Sequence, residues 1–126
     1  MRYDILLVFL GGGFGAVIRE LFIMLIPSES ILSLPVFIAN MVASFSVGIL
    51  AGLIANSKIT SSQSAFLSVG LMGGLSTFST FIYEIVQQIK TIDAVLIAYI
   101  FLTLAVGLMF VIFGHKVGSY KSRSVL

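Results

Sequence analysis

Cysteine and tryptophan are absent from this 126-residue chain, histidine occurs once, and charged side chains make up only 10% of it. Without cysteine there is no disulfide, no thiolate metal site and no cysteine nucleophile, and the redox compartment is left undetermined. His115 stands alone, which gives no basis for a histidine-rich metal cluster. The scarcity of charge is the broadest constraint. A soluble domain carries about 25% charged residues, so a chain this poor in them has the bilayer for a solvent. Its seven basic and five acidic residues are scattered singly and leave a formal charge of +2. No basic run follows a phosphate backbone, so nucleic acid is not an expected partner.

What fills the chain instead is apolar: 59% of it is hydrophobic. Four charge-poor stretches, Ile5 to Ile26, Pro35 to Ala55, Ala65 to Ile89 and Ala94 to Phe113, each approach the roughly 20 residues needed to cross a hydrocarbon core. The sequence therefore predicts an all-α integral membrane fold of four transmembrane helices in a single domain, residues 1–126. The first stretch is too long for a secretory signal, holds Arg19 and Glu20, and is followed by no small-residue cleavage site. It is expected to stay in the mature protein. Only short connections and a tail from Gly114 remain, so any polar path has to run between helices or between subunits, and an oligomer is expected.

An even number of spans puts both termini on one side, together with Arg2, Lys58, Lys116, Lys121 and Arg123, and leaves Lys90 and Arg19 on the other. The positive-inside rule then favours cytoplasmic termini. Within the spans, Gly11 and Gly15, Gly48 and Gly52, and Gly70 and Gly74 make small-xxx-small spacings that let helix backbones approach closely. Helix packing accounts for the first two pairs.

The third pair opens an unusual run, Gly73-Gly74-Leu75-Ser76-Thr77-Phe78-Ser79-Thr80-Phe81, in the middle of the third span. These are poor helix formers, and the run predicts a break. An interrupted helix in lipid leaves carbonyls at the end of its first half and amides at the start of its second, and these require protein, water or ions. Ser76 or Thr77 is placed to cap the second half. Two readings of the break stand side by side: a kink satisfied by neighbouring hydroxyls, or a site at which half-helix ends hold ions near the midplane.

Phe78 and Phe81 are three apart and share a helical face, with Ser79 and Thr80 beside them. Lipid contact explains lone phenylalanines; after a break, their positive ring edges also suit an anion. Asn40 brings a pair of amide donors into an apolar run, with Ser44 one turn on, and Tyr99 and Thr103 repeat that spacing in the fourth span. Each hydroxyl has the simpler option of bonding its own helix backbone; together they outline a polar track. Arg19 lies about two turns inside its span, where a cation snorkels, pairs with Glu20 or lipid phosphate, or faces an aqueous vestibule.

Three segments, Gly12-Gly13-Phe14-Gly15-Ala16-Val17-Ile18-Arg19, Asn40-Met41-Val42-Ala43-Ser44-Phe45 and Gly73 to Phe81, resemble in order and spacing the signatures of the Fluc/CrcB fluoride channels. That resemblance implies a passive, fluoride-selective channel that exports fluoride from a microbial cytoplasm across the cell membrane, with no enzyme chemistry. It implies two pores in an antiparallel homodimer, with fluoride, a second copy and membrane lipid as partners. By position, the backbone carbonyls of Gly73 and Ser76 would hold a central structural sodium ion, Phe78 and Phe81 would line each pore, and Asn40 would be the amide donor. Arg19 would be the vestibule cation, and Ser44, Ser79, Thr80, Tyr99 and Thr103 would extend the polar track.

The chain departs from the family pattern at Ser76, Ala43, Glu20 and Gly107, where threonine, glycine, an aromatic and often a hydroxyl are usual. Physically, fluoride is small and strongly hydrated, so its path needs many weak donors rather than one fixed cation, because conduction requires weak, multiple sites. A competing reading is a small proton-coupled drug or cation exporter, which needs a carboxylate deep in the membrane. Glu20 and Glu84 lie near span ends, and tryptophan, the best residue for binding organic cations, is absent. A non-transporting scaffold is the third reading, and it gives Asn40 and the break no purpose.

Overall fold

The computed structural model describes residues 2–27, 34–88 and 94–120, all of its regular structure helical. In chain order these are α1 (Arg2–Leu25), α2 (Leu34–Ala55), α3 (Ser61–Ser64), a π-helical stretch (Ala65–Met72), α4 (Gly73–Leu75), α5 (Phe78–Gln88) and α6 (Ala94–Tyr120). Four candidate spans follow: Tyr3–Leu25, Leu34–Ala55, Ser61–Gln87 and Ala94–Tyr120. The expected four-helix membrane architecture with a broken third helix is therefore present. Lys90, Lys121 and Arg123, which entered the charge argument, lie outside the described residues, as does Ile89.

One boundary needs correction. The fourth helix does not end at Phe113 but runs on to Tyr120, and the residues from Gly114 to Tyr120 are helix rather than tail. The reason is packing, because Gly114 and Gly118 are buried against Phe45 and Ile49 of α2. A segment that looked like an exit is still part of a helix pair.

Two such pairs make the fold. Gly11 of α1 lies against Phe66 and Gly70, and Gly15 against Leu71 and Gly74. Residue numbers rise together, so the first span and the first half of the third run parallel. In the same way Gly48 of α2 meets Val111 and His115, and Gly52 meets His115 and Ser119, which makes α2 and α6 parallel. A Cβ built at Gly15, Gly74, Gly48 or Gly114 would come well within 3.0 Å of a backbone atom across the seam. The small-xxx-small spacing is thus used at both seams for close backbone approach, and the Gly70 and Gly74 pair packs like the other two.

A small core of Ala39, Ala43, Leu50, Met72 and Leu75 joins the two pairs. Much of the remaining apolar surface faces outward, including Phe9, Phe101 and Met109, which is the arrangement a hydrocarbon solvent permits. The connection from α2 to α3 is sharply built. Ser57 takes a left-handed φ of 54°, with Ser57 N–H donating to the Ile54 carbonyl and Lys58 N–H to the Leu53 carbonyl, both 2.9 Å. This is a Schellman ending with serine where glycine is usual. Thr60 then starts α3 with a capping box, its Oγ1 accepting from Gln63 N–H while Gln63 Oε1 accepts from Thr60 N–H.

Candidate functional site around the broken third helix

The break occupies two residues. The last regular turn closes with Ser76 N–H donating to the Met72 carbonyl at 3.0 Å, and Ser76 then turns extended, with ψ at 152°. Helix resumes at Phe78. Of the two candidate caps the structure selects Thr77: its Oγ1 accepts from Thr80 N–H at 3.2 Å and donates to Thr80 Oγ1 at 3.1 Å, with Ser79 Oγ 3.3 Å away.

Side chains from both neighbouring spans hold the break. Asn40 Nδ2 donates to the Thr77 carbonyl at 3.2 Å, and Thr77 N–H donates to Asn40 Oδ1 at 2.8 Å. From the other side Arg19 Nη1 donates to the Gly74 carbonyl at 3.1 Å. Arg19 is half-buried, and its guanidinium is anchored at a peptide of the break rather than on its sequence neighbour Glu20. In lipid, backbone groups that leave a helix have to be satisfied within the protein, and these two side chains do so for residues 74 and 77.

They leave a definite remainder. In a continuous helix the amides of Thr77 and Thr80 would donate to the carbonyls of Gly73 and Ser76. Here they are directed to Asn40 Oδ1 and Thr77 Oγ1. The carbonyls of Gly73 and Ser76 therefore lose the partner that helix continuity would give them. Gly73 is exposed, and a Cβ built there would meet nothing within 4 Å, so space is open beside it.

Beside the break lies a groove of about 410 Å³, open along one side. Asn40, Ser44, Ser76, Thr77 and Thr103 give it polar atoms, and Phe78 and Phe81 line it as well. Met41, Leu104, Gly107, Leu108 and Val111 complete the lining with apolar surface. Phe81 is buried, whereas Phe78 is 73% exposed at the rim. Their ring centroids are 6.3 Å apart, and Phe81 lies 6.0 Å from the ring of Tyr99. Thr103 is buried with its Oγ1 lacking a hydrogen-bond partner among the described residues, as is Tyr99 Oη.

Of the residues singled out in the sequence, Asn40, Ser44, Ser76, Phe78, Phe81 and Thr103 thus share one groove. Tyr99 reaches it through the Phe81 ring, and Ser79 and Thr80 through the Thr77 hydroxyl. Arg19 and Gly73 are outside its lining and bear on the break itself. Sequence reasoning treated Thr77 only as one of two possible caps and did not see that its peptide is what Asn40 holds. Residue types alone carry no signal for that pairing, since 37 positions separate the partners.

A family model described as CrcB-like protein, Camphor Resistance (CrcB), matches residues 6–115. The chain is similar to a fluoride-specific ion channel, FluC 3, of Yersinia pseudotuberculosis, with 35% identity over 117 residues, covering 90% of this chain and 87% of that one. It is similar to the fluoride-specific ion channel FluC of Gloeothece citriformis at 40% identity over 95 residues, covering 74% of this chain and 77% of that one. A third relative, the fluoride-specific ion channel FluC 2 of Brucella melitensis, is 36% identical over 126 residues, which is 97% of this chain but 46% of that longer one.

Proposed function

Since this chain belongs to the CrcB-like family, a family of ion channels rather than enzymes, we propose that it is a passive, fluoride-selective channel in the cell membrane of a microbe. The supporting observation is the groove itself. Asn40 donates to the Thr77 carbonyl, and its carboxamide also lines the groove together with ring edges and hydroxyls. None of the residues lining the groove is charged. An anion passing there meets several weak donors and no fixed cation, which allows entry and release alike. The Thr103 hydroxyl, buried and without a hydrogen-bond partner among the described residues, is one donor; the edge of Phe81 is another.

The open side of the groove and the exposed Phe78 ring at its rim support assembly with a second, antiparallel copy that closes the path, giving two pores per dimer. The carbonyls of Gly73 and Ser76 fit a hard cation such as sodium, because both lack a helix partner, oxygen is the ligand type such ions take, and unwound carbonyls are a recurring sodium site in membrane proteins. A sodium ion bound there would neutralise the carbonyl dipoles and tie two copies through two carbonyls from each. Arg19, at the Gly74 carbonyl between them, keeps that intervening peptide turned to its own side.

Reconstitution into liposomes tests the reading. Fluoride efflux that needs no proton gradient is expected, and Phe81→Ile or Phe78→Ile is expected to slow it by on the order of tenfold or more through loss of the ring edges while the dimer still assembles. Proton-coupled cation uptake without fluoride efflux would refute the channel. For the cation, sodium in place of N-methylglucamine is expected to raise the thermal stability of the purified dimer, a readout independent of flux.

A further inference from the structure

Thr77 is one of only two buried polar residues among those described, 6% exposed, and it is the point at which three elements meet. Its peptide exchanges both hydrogen bonds with the Asn40 side chain of α2. Its hydroxyl accepts from the Thr80 amide and contacts the Thr80 and Ser79 hydroxyls in the first turn of α5. That same turn carries Phe78 and Phe81, whose rings line the groove. Asn40 and Phe81 sit on different helices, and Thr77 hydrogen-bonds both to the Asn40 side chain and to the start of α5.

We infer that Thr77 is a positioning residue for the anion groove: its peptide orients the Asn40 amide while its hydroxyl fixes the first turn of α5, so that donor and ring edge are set in one register. The inference rests on the fluoride reading above. It assigns the hydroxyl a role that differs from contact with the ion. An isosteric side chain without the oxygen keeps the shape of the site but uncaps the Thr80 amide and strands the Thr80 hydroxyl in a mostly apolar wall. The first turn of α5 then loosens, and the two rings move with it.

Thr77→Val and Thr77→Ser, reconstituted at equal protein and normalised to dimer recovered by size exclusion, test this. The valine variant is expected to lose flux on the order of tenfold, the scale of a lost helix cap, and the serine variant to retain most of it. With Asn40→Ala, the Thr77→Val double variant is expected to conduct no worse than the weaker single variant, because both substitutions disturb one register. Full flux from Thr77→Val overturns the inference, as does an assembled serine variant as slow as valine, or losses that multiply in the double variant. If valine does not assemble, Thr77→Asn, which keeps a capping oxygen, replaces it; a dimeric but inactive asparagine variant overturns the inference. A wild-type protein without fluoride flux overturns the channel reading and this inference with it, whereas flux in wild type and valine variant alike overturns this inference alone.

Discussion

The two parallel helix pairs are built on the same seam and differ in what they do with it. In both, glycines bring backbones into direct contact, Gly11 and Gly15 against Gly70 and Gly74 in one, Gly48 and Gly52 against Gly114 and Gly118 in the other. The pair of α2 and α6 stays regular throughout. Its counterpart opens into a π-helical stretch, then stops at Ser76 and restarts at Phe78. What separates them is the supply of side-chain partners: Arg19 and Asn40 reach the peptides of the break. Close packing alone makes a membrane helix pair; irregular backbone within it requires dedicated hydrogen-bonding groups.

The sharpest way to break this comparison is at the shared seam. Gly15→Ala and Gly48→Ala each place a Cβ within 3.0 Å of backbone atoms of the facing helix, and each is expected to cost about 3 kcal/mol, the upper part of the usual range for overpacking. Gly13→Ala meets nothing within 4 Å and is expected to leave thermal unfolding in detergent unchanged. If only one of the two seam substitutions destabilises, the pairs are not equivalent.

A smaller effect tests the clamp that only one pair possesses. Arg19→Met removes the charged donor at the Gly74 carbonyl and is expected to lower stability by about 1.5–3 kcal/mol, as for a hydrogen bond to a charged group, with slower fluoride efflux. Arg19→Lys should recover part of both losses, since a lysine donates without the guanidinium's fixed geometry. Unaltered melting in Arg19→Met would show that the break holds itself open. The smallest effect concerns the regular pair. A Cβ at Gly107 would meet only Met41 Cε and Ser44 Oγ, at 3.6 and 3.7 Å, so Gly107→Ser fits. One weak donor added beside Ser44 is expected to speed efflux about twofold, and a decrease would mean that this part of the groove does not lie on the path.

Much of this difference was visible in the residues. The four spans follow from hydropathy because lipid forces every spanning segment to satisfy its own backbone, and the break follows from crowding glycines, serine and threonines into one span. Asn40 announced itself as an amide that needs a partner in lipid. Which partner it takes was not legible, because the pairing with Thr77 depends on how α2 crosses the break, and that is set by the core around Ala39, Ala43 and Leu75. The end of the fourth helix was missed for a similar reason. Gly114, His115 and Lys116 read as an exit from the membrane, yet helix persists there since Gly114 and Gly118 pack on α2. Arg19 kept several options open in the sequence, and only the position of the Gly74 carbonyl decides among them.

The exchange between Asn40 and Thr77 has a wider consequence. A carboxamide carries the same donor and acceptor as a peptide unit, and by giving and receiving one bond each it behaves as a single rung of a β-ladder in which one strand is a side chain. A residue outside any helix can therefore exist inside a bilayer without a sheet around it. For membrane protein design this is a portable module: an asparagine on one helix, aimed at a chosen peptide on the next, licenses a two-residue interruption wherever a cavity is wanted. An aspartate in its place would accept but not donate when ionised, and the rung would be left half made.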